Sequence, residues 1–211
     1  MSSDDHNGHD HDHTVFQDED DLRDPALIKY RAIRSLLMEK GVFVADELRV
    51  AVERMEQAGP HVGAAIVAKA WTDPEFRERV LTDAKPAVAE LGYTIAEADL
   101  IVVENTSELH NLIVCTLCSC YPRSILGQPP AWYISRSYRT RAVREPRAVL
   151  AEFGVQVPPN CAVRVHDSTA DMRYLVLPVR PVGTEGWDND RLAGLVTRDC
   201  LIGTALPRAV A

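Results

Sequence analysis

Three cysteines are crowded into one short segment of this chain, at Cys115, Cys118 and Cys120, in the spacing Cys-x-x-Cys-x-Cys. We call residues 115–120 the claw. A structural zinc site commonly uses four ligands in two spaced pairs, and an iron–sulfur cluster needs a fourth cysteine. A redox Cys-x-x-Cys normally opens a helix in a βαβ unit, which the surrounding pattern does not provide. The spacing therefore predicts a metal site without fixing the metal.

The close pair Cys118 and Cys120 adds a geometric restriction. Sulfurs two residues apart converge on one ion only if the backbone wraps around it, which brings the peptide nitrogens of Ser119 and Cys120 to bonding distance. Two thiolates and two deprotonated amides then form a nearly planar set, with Cys115 as the axial ligand. Such strong donors suit a trivalent, low-spin ion with one position left open for water or substrate.

Other side chains that could bind metal lie far from the claw in the sequence. Cys161, Cys200 and His166 are single, and we interpret the two cysteines as small buried side chains. Glu97 and Asp99 precede a predicted strand, where they are either solvated loop charges or residues that approach the site. None of these five residues belongs to the predicted ligand set.

The net charge of −8 is located in the first 25 residues, which carry nine acidic side chains and one basic one. The remaining chain has 22 acidic and 22 basic residues, so no basic patch suggests nucleic acid. Residues 1–24 are too polar to pack and are predicted to be disordered. They also contain four histidines, His6, His9, His11 and His13. These are either solvated or form a weak, exchangeable site for a divalent metal ion.

Hydropathy and cysteine content indicate a cytoplasmic protein. No apolar run approaches the ~18 residues that a membrane span needs, and the acidic N-terminus is the reverse of a secretory signal. Five cysteines are an odd number and form a poor disulfide framework, as expected where thiols stay reduced.

The pattern of apolar residues predicts helices first and strands later. The predicted helices are 25–40, 46–57, 62–71, one opening at Pro74, 86–91, 144–153 and 188–196. The predicted strands are 100–103, 112–114, 162–166 and 172–179. This order predicts an α+β fold. We predict a tail over 1–24, a helical arm over 25–72 and a metal-binding catalytic domain over 73–211.

Residues 114–122, Val-Cys-Thr-Leu-Cys-Ser-Cys-Tyr-Pro, resemble the metal-binding motif of nitrile hydratase alpha subunits and of the related thiocyanate hydrolase gamma subunit. Further segments that resemble this family are 69–76, 143–147, 180–187 and 196–203. The resemblance implies a helical arm, a C-terminal α/β domain of layered α-β-β-α type, and a beta-type partner. That partner is one chain or two, and its arginines hold the oxidised sulfurs. It also implies one cobalt ion per chain in preference to iron, because Thr116 stands where iron forms usually have serine.

By the same resemblance, Cys115 stays a thiolate, Cys118 becomes a sulfinate and Cys120 becomes a sulfenate, which are successive steps of cysteine oxidation. Ser119 and Cys120 supply amide nitrogens. The expected reaction is hydration of a nitrile to its amide, with the Cys120 sulfenate oxygen as the candidate nucleophile. The expected catalytic residues are Cys118, Ser119, Cys120 and Arg123.

Arg123 leaves the substrate open. Nitrile hydratases usually have Trp-Pro near this position, whereas Arg123-Ser124 resembles thiocyanate hydrolase, and a cation suits the thiocyanate anion. Residues 104–106 and 144–146 resemble cobalt nitrile hydratases more closely, so we favour a nitrile. Arg123 can also be an interface residue that forms a salt bridge. A third hypothesis is a cobalt-delivery accessory protein, although such a protein does not need the full claw.

Overall fold

A computed structural model describes residues 25–97 and 99–208. The histidine-rich stretch singled out above lies outside the described residues. The helices are α1 Pro25–Glu39, α2 Ala45–Gln57, α3 Pro60–Thr72, α4 Pro74–Thr82, α5 Ala84–Ala89, α6 Arg123–Leu126, α7 Ala131–Ile134, α8 Arg136–Arg144, α9 Pro146–Glu152 and α10 Asn189–Ala193. The strands are β1 Asp99–Glu104, β2 Leu109–Val114, β3 Ala162–Asp167 and β4 Met172–Leu177.

The chain separates into two compact units, which divide between Val52 and Glu53. In the first unit, no residue of α1 is buried, and the Val44 amide donates to the Glu47 carboxylate at 2.9 Å at the start of α2. The α3 helix belongs to the second unit. The boundary at 72/73 given above remains a prediction from sequence.

The α3 helix is the central helix of the second unit, and seven of its 13 residues are buried. It contacts α4, α6 and α10. Gly63 lets these neighbours approach, because a Cβ at this position would lie 2.5 Å from a Leu201 methyl and 2.9 Å from a Leu126 methyl. The Asp73 side chain then caps α4 by accepting from the Phe76 amide at 2.9 Å.

Two small parallel sheets lie at the centre of this unit. β1 pairs with β4, and β2 pairs with β3. Segment 201–203 runs beside both sheets, because the Ile113 amide donates to Ile202 and the Val176 amide donates to Leu201. Gly203 has φ +87°, and a Cβ there would lie 2.0 Å from the Asn111 carbonyl oxygen. Only glycine permits this close approach.

The α+β class expected from the sequence is confirmed. The two late strands were expected near 162–166 and 172–179, and each pairs with an earlier strand, in register with β2 and β1 respectively. Among the described residues, no helix has the length and apolar character that would let it cross a membrane.

Three helices between the claw and α9 were not predicted: α6, α7 and α8. The sequence of α8 is strongly basic, and only Tyr138 and Ala142, one helical turn apart, are buried. Its start is set by Ser135, whose hydroxyl accepts from the Tyr138 amide at 3.2 Å. A single pair of buried residues is too weak a periodic signal to predict a helix.

Candidate metal centre

The claw begins where β2 ends, so its first cysteine is held by a buried strand. Residues 112–114 of β2 and Cys115 are fully buried, Cys120 is nearly so, and Cys118 is exposed. The Cys118 sulfur lies 3.5 Å from that of Cys115 and 3.2 Å from that of Cys120. All three sulfurs are within 4.8 Å of one another. The fold thus brings the three predicted sulfur ligands together.

The first turn of the claw is held from the neighbouring strand. In the parallel register Val114 pairs with Asp167, which places this carboxylate beside the start of the claw. Asp167 accepts from the Thr116 amide at 2.9 Å and from its hydroxyl at 2.5 Å. Arg139 of α8 donates to the Thr116 carbonyl at 3.3 Å. Inside the claw, the Cys118 amide donates to the Cys115 sulfur at 3.2 Å.

Tyr133 holds the last residue of the claw, and its ring belongs to an aromatic cluster with Tyr121, Trp132, Tyr138 and Phe153. The Tyr133 hydroxyl donates to the Cys120 carbonyl at 2.8 Å, and the Tyr138 hydroxyl donates to the Ile113 carbonyl at 2.6 Å. Burial raises the pKa of both phenols. Both therefore stay protonated and remain donors at neutral pH.

The thiols of the claw interact electrostatically. Hydrogen bonds from Cys120 and Cys115 lower the pKa of Cys118 to about 7. Burial, and then the same contact with Cys118, raises the pKa of Cys120 to about 12, while Arg173 acts in the opposite direction. The exposed Cys118 thiol therefore ionises before the Cys120 thiol.

Four buried polar atoms in the described residues have no hydrogen-bond partner: Tyr121 Oη, Arg139 Nε, Ser168 Oγ and Arg173 Nε. Each belongs to a residue next to the claw. Tyr121 directly follows Cys120, and Arg139 donates to the Thr116 carbonyl. The Ser168 amide donates to the Val114 carbonyl, just before the claw. The charge of Arg173 lowers the pKa of Cys120. Unpaired buried polar groups are rare. Because all four lie around the claw, this region can hydrogen-bond to a further polar group bound there.

The donor set fits a metal ion. Three converging thiols are soft ligands, and residues 118–120 add peptide nitrogens next to two of the sulfurs. In the part of the chain that the structure describes, these three cysteines form a group whose sulfur atoms lie close enough together to hold one metal ion. Ser119 lies between two of them, as its predicted role as an amide ligand requires.

Arg123 is exposed at the first residue of α6, three residues after the claw. Its guanidinium makes no hydrogen bond or salt bridge with the described residues. It lines a cavity of about 320 Å³ together with Glu97, Ser124 and Gln128. Glu97 accepts from the Ser124 amide at 3.0 Å and its hydroxyl at 2.5 Å. Glu97 therefore approaches the region after the claw and fixes the start of α6, whereas Asp99 is exposed in β1.

The remaining candidate ligands lie apart from the claw. Cys161 is buried and its thiol faces the Ala162 carbonyl at 3.7 Å. Cys200 is buried against the Thr197 hydroxyl at 3.2 Å, and His166 contacts the Asn111 side chain at 2.9 Å. The interpretation of both cysteines as buried side chains is confirmed.

Sequence reasoning did not identify Asp167 or Tyr133, the two side chains that hold the ends of the claw. Asp167 is 51 residues from Thr116. A clue was available, since Asp167 directly follows a predicted strand, but its partner depends on the strand pairing. Tyr133 follows a Pro-rich loop without any periodic signal.

An α+β chain that presents three converging cysteines at the end of a buried strand defines a class of metal-binding subunit. Residues 25–205 match the family model described as nitrile hydratase, alpha chain. The chain belongs to the nitrile hydratase alpha-chain family.

Relatives of two kinds are similar to this chain. The cobalt-containing nitrile hydratase subunit alpha of Pseudonocardia thermophila is 45% identical over 195 residues, covering 91% of this chain and 96% of the relative. The thiocyanate hydrolase subunit gamma of Thiobacillus thioparus is 47% identical over 189 residues, covering 84% and 78%. A solved structure of recombinant thiocyanate hydrolase with partially modified cobalt centres has a TM-score of 0.82, 45% identity, and coverage of 87% and 90%.

Proposed function

We propose that this chain is the metal-binding, alpha-type subunit of a cobalt nitrile hydratase, which hydrates a nitrile to the corresponding amide. The observation that carries the proposal is the convergence of three claw sulfurs within 4.8 Å at the end of a buried strand, in a chain of this family. Cobalt is favoured because relatives with 45% and 48% identity are named cobalt-containing nitrile hydratase alpha subunits.

The claw residues Cys115, Cys118, Ser119 and Cys120 would hold the ion. Bound there, trivalent cobalt supplies Lewis acidity that polarises a nitrile or acidifies water. We further propose that Cys118 carries a sulfinate and Cys120 a sulfenate. The Cys120 sulfenate oxygen would attack the nitrile carbon, and the nitrogen would take up a proton. Water would then add to the same carbon and break its bond to the sulfenate oxygen, which would release the amide and restore the sulfenate. The product thus contains the nitrile plus one water.

The exposed side of the claw fits a partner subunit. Leu117 at its tip is 88% exposed, and Cys118 is exposed beside it. A large apolar side chain exposed next to a reactive thiol suits a surface that another chain covers. The named relatives are subunits, and we propose a beta-type partner, as one chain or two, that completes the site. We also propose a cytoplasmic location, where the claw thiols stay reduced until metal binds.

Thiocyanate hydrolysis is the second candidate, and Arg123 is the observation that favours it. This exposed guanidinium lies beside a cavity of about 320 Å³ without a partner among the described residues, so it is free to attract an anion. The identity to the thiocyanate hydrolase gamma subunit, 47%, lies within the 45–49% found for nitrile hydratase alpha subunits.

The test is to produce the chain with its beta-type partner in medium containing cobalt and to assay the purified complex. The substrates are thiocyanate and a panel of aliphatic and heteroaromatic nitriles. We expect amide formation from at least one nitrile and one cobalt per chain. Thiocyanate turnover without nitrile hydration would replace the proposed reaction with the second candidate. A complex that binds cobalt and turns over neither substrate would favour the accessory role.

A further inference from the structure

The middle of the claw has little support from the other residues that the structure describes. Leu117 is 88% exposed, Cys118 is exposed, and the Cys118 amide bonds only within the claw, to Cys115. The position of the sulfurs at Cys118 and Cys120 therefore depends on how the two ends of the segment are fixed. At the first end, Asp167 accepts two hydrogen bonds from Thr116.

The other end is fixed by Tyr133. Its side chain is fully buried, and its hydroxyl donates to the Cys120 carbonyl at 2.8 Å. Its ring also packs edge-on against Tyr121, with the ring centroids 5.0 Å apart at 69°. Tyr133 thus holds the peptide between Cys120 and Tyr121 at two points, the Cys120 carbonyl and the Tyr121 ring.

The fixing of this end of the claw matters most for Cys120, because Cys120 is predicted to supply both a sulfur and a peptide nitrogen. Rotation about its backbone moves these two donors together. A hydrogen bond to its carbonyl restrains that rotation, and a side chain held by packing is the kind of support that a metal ligand needs. Tyr133 is itself held by Trp132, at 5.9 Å, and by Tyr138, at 5.7 Å between ring centroids.

We infer that Tyr133 is a positioning residue for the metal site, which sets the orientation of Cys120 through its carbonyl. This inference rests on the proposed function for the identity of the metal and the reaction. Tyr138 provides the matched control. It belongs to the same aromatic cluster, and its hydroxyl also donates to a backbone carbonyl, that of Ile113 in β2, at 2.6 Å.

The experiment compares Tyr133→Phe with Tyr138→Phe in the cobalt-loaded complex with the partner subunit. Each change removes one hydroxyl and leaves a buried carbonyl without its donor, so both should lower the thermal midpoint to a similar extent. Only Tyr133→Phe should shift the visible sulfur-to-cobalt absorption band and lower kcat by roughly tenfold, with KM changed by less than about twofold. Tyr138→Phe should keep the wild-type band.

An unchanged band in Tyr133→Phe, or an equal shift in both variants, would overturn the inference. If Tyr133→Phe does not assemble, 3-fluorotyrosine at position 133 keeps the ring and makes the phenol a stronger donor. We then expect a band shift, and an unshifted band would overturn the inference equally. A wild-type complex that shows the cobalt band but hydrates no nitrile would contradict the proposed function alone, because the band does not depend on the substrate.

Discussion

Replacing Arg123 with tryptophan separates the two candidate substrates. The change removes an exposed cation from the first residue of α6 and puts an apolar ring next to the cavity of about 320 Å³ that Arg123 lines. The helix start should survive, because Glu97 holds Ser124 through its amide and its hydroxyl, and neither bond involves the Arg123 side chain. The substitution therefore tests the charge more than the fold.

The size of the effect follows from the exposure of Arg123. Two unit charges about 4 Å apart interact by about 4 kcal/mol at an effective dielectric constant of about 20. Water screens an exposed guanidinium, so we take the lower limit for a hydrogen bond to a charged group, about 1.5 kcal/mol. That corresponds to roughly a tenfold rise in KM for thiocyanate. A neutral nitrile loses no ion pair, and its KM should change by less than about threefold or should fall.

The assay measures kcat and KM for thiocyanate and for one aliphatic nitrile in the wild-type complex and in Arg123→Trp. Arg144→Trp is the control, because Arg144 is an exposed arginine at the last residue of α8 that does not line this cavity. Equal changes for the anion and the neutral substrate would refute the electrostatic reasoning. Loss of the partner subunit from Arg123→Trp would instead identify Arg123 as an interface residue.

Three further predictions concern the claw cysteines and one buried histidine. Serine at any claw cysteine should lower the cobalt content well below one ion per chain, measured by elemental analysis, and retention of cobalt in all three variants would exclude the claw as the site. Mass spectrometry of the mature claw peptide should show two added oxygens at Cys118 and one at Cys120, with none at the cysteines outside the claw; an unmodified peptide from active enzyme would contradict this. Burial lowers the pKa of His110, so the unfolded chain binds the proton first and the free energy of unfolding should fall as the pH drops below about 6.5. Denaturant titrations between pH 7 and pH 5 should show a smaller fall in His110→Gln, and an identical fall would exclude His110 as the cause.

The part of the site that the sequence predicted is the part made from neighbouring residues. The claw spacing required Cys115, Cys118 and Cys120 to meet, because six consecutive residues can bring their sulfurs together without help from distant segments. The α+β class was predicted from helical periodicity followed by short β-branched runs, and both signals are local. The supports were not predictable in this way. Asp167 reaches Thr116 through the parallel pairing of β2 with β3, and the residues of one strand do not show which other strand it pairs with.

The helices after the claw were missed for a different physical reason. α6 and α7 have four residues each, about one helical turn, so neither contains a repeat that a periodic pattern can reveal. Their conformations depend on hydrogen bonds to residues distant in the sequence, such as Ser124 to Glu97 and Tyr133 to Cys120. Sequence patterns therefore predict the candidate metal ligands better than the residues that hold them.

The two faces of the claw differ in a way that supports the proposed partner subunit. On the inner face, Cys115 is fully buried and the ends of the segment are fixed by Asp167 and Tyr133. On the outer face, Cys118 is exposed, and no side chain in the described part of the chain covers it. A reactive thiol that meets solvent is open to uncontrolled oxidation. If the proposed function holds, cationic groups from the proposed partner subunit would cover this face and pair with the proposed sulfur oxygens, so we expect oxidation to stop at a defined stage only in the assembled complex.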